Sequence, residues 1–178
     1  VSPERRAEAR VNDPRWKPVE QRWRPSADGK WYWKGDTSSD EIIGHFNGFY
    51  VYYTLMDDEA EKERVRKLTR RIMDYIIEGG YNLNDTDGTH THWAVWAPEK
   101  LMGDPDWRAE SGINSAELLM FLKTSYFINK KKKYQEHYEK LIKDYGYAEN
   151  ARHAKTYHPS ERTHIDDELL SFTYPALL

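Results

Sequence analysis

Apolar residues follow two different helical patterns that alternate along the chain. Over residues 42–55 they occupy most sides of a helix, which is typical of an inner helix covered on both sides. Over residues 65–76 they recur every third or fourth position among charged residues, which is typical of an outer helix. An inner pattern returns from about Asn114, an outer one covers residues 134–145, and a third inner one begins at Asp166. The predicted order is therefore inner, outer, inner, outer, inner.

Capping and stop signals place the ends of these helices. Ser38 and Glu41, three residues apart, form a capping box before the first inner helix, and Gly79-Gly80 ends the first outer helix. Gly146 is the stop signal of the second outer helix, and Pro175 is expected to kink or end the last inner one. Because these signals agree with the helical periods, we expect five main helices.

The links between these helices differ in length, and the difference predicts the topology. Inner-to-outer links are short, at residues 56–58 and at a lysine turn over 130–133, whereas outer-to-inner links are long, at about residues 81–112 and 147–164. Helices joined by short links run antiparallel, so the inner helices are expected to be parallel to one another. Their N-termini and both long loops then share one end of the assembly, where we expect any active site.

The predicted fold is all-α, with antiparallel helical hairpins in alternating inner and outer layers. Because the inner helices need cover on both sides, we expect an (α/α) toroid or part of one, with a two-layer bundle as the alternative. Residues 1–35 lack helical periodicity and are rich in Pro and Arg, which favours an extended arm or linker before a helical domain at residues 36–178. The helical pattern looks interrupted at Leu178, so we expect an incomplete toroid belonging to a longer chain, or self-association.

Composition narrows the classes of function. The formal net charge of −3 argues against a general nucleic-acid binder, and no apolar run is long enough to span a membrane. The absence of cysteine excludes a thiolate zinc site and a cysteine nucleophile, and it leaves the compartment open. Aromatic residues make up 14% of a polar chain, which favours either a core built from Tyr and Trp or an aromatic surface for flat ligands such as sugars.

Residues suited to chemistry form three groups at the predicted loop end. Six of the seven histidines lie in or beside these groups, and only His137 lies on an outer helix. The first group lies at the start of the first inner helix, the second in the first long loop, and the third before and at the start of the third inner helix. In that order they are Asp36, Asp40, Glu41 and His45; Asp87, His90, His92, Trp93 and Trp96; and His153, His158, His164, Asp166, Asp167 and Glu168.

Two carboxylates from different inner helices, Asp40 and Asp167, are the candidate acid and base. Glycoside hydrolysis needs two carboxyl groups about 5 to 9.5 Å apart, one protonated and one ionised, and their separation sets the stereochemical outcome. The alternative is structural, because Asp and Glu at helix starts are ordinary caps. Glu41 and Glu168 are interpreted as caps.

The histidines offer a metal site as an alternative chemistry. His90 and His92 would lie on the same side of an extended segment and, with His45 or Asp87, would bind zinc or another divalent ion. His164 with the acidic pair that follows it is a second such set. None of these spacings matches an established metal motif, so we predict no cofactor and expect the histidines to bind an anionic or sugar ligand.

Tryptophan rings near the same end are candidates for sugar stacking. Trp93 and Trp96, with Trp31 and Trp33, are expected either to form a stacking platform or to plug the end of the helical layer. The chain has no Gly-rich phosphate loop, no nucleophile elbow and no dinucleotide fingerprint, so nucleotide-binding and serine-hydrolase functions lack support.

Taken together, these features resemble a known architecture. Alternating inner and outer hairpins with acidic inner-helix N-termini are similar to six-hairpin glycosidase-like (α/α) toroids, which include unsaturated glucuronyl hydrolases, other glycoside hydrolases and polysaccharide lyases. The runs 36–41, 44–46, 87–89 and 92–93 also resemble segments of bacterial polysaccharide-utilisation proteins. The resemblance covers about residues 30–178. It departs in size, because this chain supplies about two and a half of the six hairpins.

The resemblance implies a carbohydrate-active enzyme, or part of one, acting on a glycan that contains uronic acid. The alternatives are a non-catalytic helical-repeat module that binds a glycan or protein, a polysaccharide lyase, and a metal-dependent hydrolase. A glycan substrate implies a periplasmic or extracellular location, and a cytoplasmic one is left open. In the leading hypothesis Asp40 and Asp167 are catalytic with His45, and the substrate contacts Asp36, Asp87, His90, His92, Trp93, Trp96, His164 and Asp166.

Overall fold

The computed structural model describes residues 22–154 and 164–178, together with positions 4, 7, 8 and 11. Within these residues the chain is mostly helical, which confirms the predicted all-α class. The helices are α1 (Ser39–Leu55), α2 (Glu59–Glu78), α3 (Pro98–Leu101), α4 (Ser111–Asn129), α5 (Lys132–Tyr145), α6 (Tyr147–Arg152) and α7 (His164–Leu177), with a 3-10 helix at Pro105–Glu110. Two antiparallel hairpins pair β1 (Trp23–Pro25) with β2 (Tyr32–Lys34) and β3 (Asn82–Asn84) with β4 (His90–Val95).

Helix α4 lies at the centre of the fold. Every residue from 112 to 122 is buried, and the helix contacts α1, α2, α5, α6 and α7. Its all-round apolar pattern requires that position, because a helix without a polar face is stable only when other elements cover it. Helices α1 and α7 also contact each other, so the three helices with inner patterns pack pairwise.

The outer helices α2 and α5 pack against α4 and also contact each other. The charged face of α2 meets the start of α5 at Asp74, which accepts a hydrogen bond of 2.7 Å from the Tyr134 hydroxyl and pairs with Lys133. Burial and the Asp74 carboxylate together raise the pKa of Tyr134 well above its ordinary value. The lysine turn predicted between the second inner and outer helices therefore has a structural role, because its Lys133 binds α2.

The first long connection contains more regular structure than the sequence pattern predicts. The Asp87-Gly88 turn closes the β3–β4 hairpin: Asp85 N–H donates to the Thr89 carbonyl at 2.8 Å, and Gly88 adopts a positive φ of 80°. The run His90–Val95 is rich in residues that favour strands, but it is too short for its period to distinguish a strand from a loop. Helix α3 and the 3-10 helix fill the rest, so α4 begins at Ser111 rather than near Asn114.

The structure also adds elements at both ends of the predicted domain. The β1–β2 hairpin lies within the segment that the sequence pattern assigns to an extended arm. Helix α6 occupies the start of the second long connection, and α7 begins at His164, two residues before the predicted start. Pro175 lies in the last turn of α7, where the helix ends. No helix in the described ranges is long and apolar enough to cross a membrane.

The backbone after α6 approaches helix α4 closely at Gly112. A Cβ atom there would lie 2.5 Å from Ala154 Cα and 2.8 Å from the His153 carbonyl oxygen. Both neighbours are backbone atoms that cannot rotate away. Only glycine therefore lets the segment after α6 pack against the start of α4.

We expect Gly112→Ala to lower the free energy of unfolding by about 1 to 3 kcal/mol, as for overpacked cores. Gly48→Ala is the matched control. A Cβ at Gly48 meets nothing within 4 Å, so that variant should gain about 0.5 to 1 kcal/mol from helix propensity. Urea denaturation of the three proteins checks both values, and equal stability of Gly112→Ala and the parent would contradict the packing argument.

Candidate active site at the shared helix N-termini

The end of β4 is anchored directly to helices α4 and α6. The Trp96 indole N–H donates to Glu117 Oε2 at 2.5 Å, and the Asn114 side-chain amide donates to the Val95 carbonyl at 2.8 Å. The Tyr147 hydroxyl donates to the Trp96 carbonyl at 2.5 Å. Because the partners are buried, these bonds fix the position of strand β4, which carries His90, His92 and Trp93.

Glu117 is a fully buried carboxyl in the middle of the apolar helix α4. Burial is the largest cause that raises the pKa of Glu117, the Trp96 hydrogen bond lowers it, and the charges of Glu110, Asp40 and Asp166 raise it; the resulting pKa is about 8. Within the described residues, Oε1 has no hydrogen-bond partner. Glu117 is therefore protonated at neutral pH, which removes the cost of burying a charge.

Acidic side chains lie at the starts of three helices that pack on one another, α1, α4 and α7. Asp40 is exposed in the first turn of α1, and Asp166 is half-buried in the first turn of α7. Glu110 immediately precedes α4. The charges of all three raise the pKa of the buried Glu117, so the end at which the sequence predicts the site is acidic.

A cavity of about 460 Å³ opens beside the start of α1. It is lined by Lys34, Thr37, Glu41, Gly44 and His45. Lys34 Nζ lies 2.6 Å from Glu41 Oε2, which also accepts the Ser38 backbone N–H at 2.9 Å. Burial alone would raise the pKa of Glu41, but Lys34 and Ser38 outweigh it and lower the pKa. The predicted capping box is present, and its Glu also forms one wall of the cavity.

Asp36 links the segment before α1 to strand β4. Its Oδ1 accepts the His92 backbone N–H at 2.7 Å, and its backbone has a positive φ of 53°, which costs energy for a residue with a side chain. The His92 ring stacks on Trp93 with centroids 4.4 Å apart, and Trp93 is 37% exposed. Strand β4 therefore presents the His92–Trp93 ring pair next to the start of α1.

Local contacts hold the other loop residues. His90 Nδ1 lies 2.8 Å from the Thr91 carbonyl, and its ring meets Trp107 edge to face at 6.2 Å. The Asp87 carboxylate accepts the backbone N–H of Thr89 at 2.9 Å and its hydroxyl at 2.8 Å. Asp87 thus closes the β3–β4 turn in this structure.

The β1–β2 hairpin is clamped to the same turn by Arg24. Its guanidinium pairs with Asp85 at 2.7 Å, donates to Thr86 Oγ1 at 2.5 Å, and lies 5.1 Å from the centroid of the Trp33 ring. The Asp85 side chain is only 4% exposed. A Cβ at Gly35 would lie 2.9 Å from the centre of the guanidinium, so this glycine makes room for the clamp.

The predicted site residues fall into different places. The charges of Asp40 and Asp166 both act on the pKa of Glu117, Asp36 accepts a hydrogen bond from the His92 backbone, and His45 lines the cavity. Asp167 and His164 are exposed at the start of α7. His158 lies outside the described residues.

The interpretation of Trp96 as a sugar-stacking residue is wrong for this structure. Its ring is fully buried and meets Phe121 edge to face at a centroid distance of 5.2 Å. The indole N–H is occupied by Glu117. Among the alternatives that the sequence leaves open, Trp96 takes the core role.

Sequence reasoning missed Glu117 and the hairpin residues Arg24 and Lys34. The available signal for Glu117 was a lone carboxylate within an otherwise apolar inner helix, which needs either a partner or a proton. No group of three His, Asp or Glu side chains in the described ranges is arranged to hold a metal ion.

Comparisons with known proteins return no relative. No family model, no curated protein and no solved structure matches this chain.

The raised pKa of Glu117 makes stability depend on pH. The folded state holds its proton up to about pH 8, whereas an unfolded Glu releases it near its ordinary value of 4.5. The contribution of the Glu117 proton to the free energy of unfolding is therefore complete below pH 4.5 and is lost as pH rises through about 8, by at most roughly 4 to 5 kcal/mol.

We expect the stability of Glu117→Gln to be less sensitive to pH in this window than that of the parent. Urea titrations between pH 5 and 8 measure this, with the exposed Glu136→Gln as control; identical pH profiles for Glu117→Gln and the parent would refute it.

Removing the Arg24 clamp should loosen the hairpin without unfolding the helices. Arg24→Gln removes the ion pair of the buried Asp85 carboxylate, and we expect a loss of about 1 to 3 kcal/mol. Faster amide exchange should be confined to residues 23–34 and 85–89. The neighbouring Arg22→Gln is the control, since that exposed side chain makes no such contact with Asp85. Unchanged hairpin protection in Arg24→Gln would show that the clamp is unimportant.

Proposed function

We propose that this chain is a carbohydrate-active enzyme or part of one, with a glycoside hydrolase-like mechanism based on paired carboxyl groups. The observation that carries the proposal is that acidic residues begin three helices that pack on one another: Asp40 in the first turn of α1, Glu110 just before α4 and Asp166 in the first turn of α7. A cavity lined by Lys34 and His45 opens beside the start of α1, and Asp36, just before that helix, binds strand β4 with its partly exposed Trp93. Carboxyl groups and aromatic rings suit the hydroxyl groups and faces of a sugar, and Lys34 and His45 suit a sugar carboxylate.

The roles follow from exposure and position. Asp40 on α1 and one member of the Asp166-Asp167 pair on α7 are the candidate acid and base, because these side chains reach solvent from facing helix starts. His45 lines the cavity and orients the substrate there. Glu117 is buried, so it acts on the site only through Trp96 and the loop that Trp96 anchors.

The toroid-like arrangement of the helical hairpins is part of the same proposal. Its support is the alternation of all-round apolar and one-faced helices, with α1 joined to α2 and α4 joined to α5 by short links. The contact between α1 and α7 supports the alternative of a bundle that closes on these helices. In both arrangements the inner helix starts remain at one end.

Replacing the candidate carboxylates tests the enzymatic function. We expect Asp40→Asn, and at least one of Asp166→Asn and Asp167→Asn, to lower kcat by about a hundredfold or more, because each variant removes an acid or base. The assay measures release of reducing ends from a panel of uronic-acid-containing and neutral oligosaccharides. The matched control is Asp144→Asn, an exposed acid on α5, which should keep full activity.

Product analysis separates the alternatives. Hydrolysis gives saturated products, whereas a lyase gives unsaturated products that absorb in the ultraviolet. Binding without turnover in the parent protein would replace the enzyme by a glycan-binding module. Full activity in all three variants would exclude the acid/base assignment.

A further inference from the structure

The β1–β2 hairpin carries the most exposed large aromatic side chains among the described residues. Trp23, Trp31 and Tyr32 are 60%, 72% and 73% exposed. Burying such rings is normally favourable, and a cluster of them on a short hairpin marks a contact surface. The proposed acid/base chemistry makes no use of them.

The register of the hairpin divides its side chains between two faces. Trp23 is opposite Lys34 and Pro25 is opposite Tyr32, whereas Arg24 is opposite Trp33. Directly opposed residues share a face, and successive residues alternate. Arg24 lies on the face that is clamped to Asp85, so Trp23, Pro25, Tyr32 and Lys34 lie on the outward face.

This outward face is held rigidly. The tip is closed by a hydrogen bond of 2.8 Å from Ser26 N–H to the Trp31 carbonyl, and Ser26 Oγ accepts Trp31 N–H at 3.0 Å. Asp28 accepts Lys30 N–H at 3.1 Å, and Gly29 supplies the positive φ of 68° that the turn requires. Because the clamp fixes the base and the turn fixes the tip, a ligand would bind with little loss of loop entropy.

The outward face of the β1–β2 hairpin is continuous with the cavity at the start of α1. Lys34 is the last residue of β2, lies on the same face as Trp23 and Tyr32, and lines the cavity with Glu41 and His45. A ligand polymer that lies along the hairpin would therefore reach the proposed active site.

The charge of the hairpin differs in sign from that of the whole chain. Residues 22–34 contain four basic residues and one acidic residue, a net charge of +3, whereas the chain has a net charge of −3. Lys30 is exposed at the tip of the hairpin, and Arg22 is exposed at its base on the face of Arg24. An extended ligand with spaced negative charges and flat apolar faces is complementary to this surface.

We propose that the outward face of the β1–β2 hairpin is a stacking platform for a glycan that carries carboxylate groups. The inference rests on the proposed function only for the direction in which the glycan runs, toward the cavity. Trp23 and Tyr32 stack on sugar rings, and Lys30 at the tip of the hairpin interacts with a carboxylate. The surface fits a glycan better than single-stranded nucleic acid, because Arg24 and Lys34 are already paired with Asp85 and Glu41 and too few cations remain to follow a phosphate backbone.

Calorimetric titration of the full chain tests this platform. The probes are oligogalacturonate and alginate oligosaccharides, neutral xylo-oligosaccharides, and an oligothymidylate. We expect an acidic glycan to bind the parent protein, and Trp23→Ala or Tyr32→Ala each to raise its Kd about tenfold, the loss typical of a central aromatic contact. Tyr174→Ala, which removes an equally simple exposed ring from the far end of α7, should leave Kd unchanged.

Charge variants test the acidic character of the ligand. Lys30→Gln should lose the preference for acidic over neutral oligosaccharides while it keeps the aromatic contacts, and Arg22→Gln, on the opposite face, should retain that preference. Binding of the acidic glycan should also weaken as salt concentration rises.

Several results would overturn the platform. These are no binding of either acidic glycan, unchanged Kd in both aromatic variants, or oligothymidylate binding as tight as glycan binding with the same dependence on Trp23. The enzyme proposal fails separately: binding that depends on Trp23 and Tyr32 without turnover would keep the platform and remove the catalytic role. Turnover with KM unaffected by both aromatic variants would do the reverse.

Discussion

The hydrogen bond between the Trp96 indole and the Glu117 carboxyl connects the helical core to the loops that surround the candidate site. Both side chains are fully buried, so each polar atom would be costly without the other. The bond fixes the end of β4 against α4, and the bonds from Asn114 and Tyr147 hold the adjoining backbone. The position of strand β4, with its His and Trp side chains, relative to the helix starts depends on this contact.

From that anchor, polar contacts extend outward in steps. The β3–β4 turn presents Asp85, whose buried carboxylate holds Arg24, and Arg24 holds the β1–β2 hairpin. On the other side, Asp36 binds the His92 backbone and so ties the start of α1 to the same loop. Short strands alone would be marginally stable, and these side-chain contacts supply the fixation that the strands lack. The surface for a ligand is therefore built from small elements on a rigid helical base.

The acidic end of the molecule is tolerated because its charges are distributed by depth. Asp40 is exposed and Asp166 is half-buried at helix N-termini, where water and the helix dipole favour a negative charge. Glu117 lies below them in the core, and its raised pKa keeps it neutral. A buried ionised group there would repel the surface carboxylates at short range. The neutral Glu117 avoids the cost of a buried charge, and Asp40 and Asp166 keep contact with solvent.

The helical class, the five main helices and the capping box followed from the sequence alone, because helical period and caps depend on neighbours three or four residues apart. The shared end of the acidic helix starts followed from link lengths in the same way. The tertiary structure decided the rest. Trp96 and Trp93 look alike in the sequence, but only the packing of β4 on α4 buries one and exposes the other. Glu117 and Arg24 were overlooked because their partners, Trp96 and Asp85, lie 21 and 61 residues away. Such pairings depend on how the helices and hairpins pack, and no local pattern in the chain specifies them.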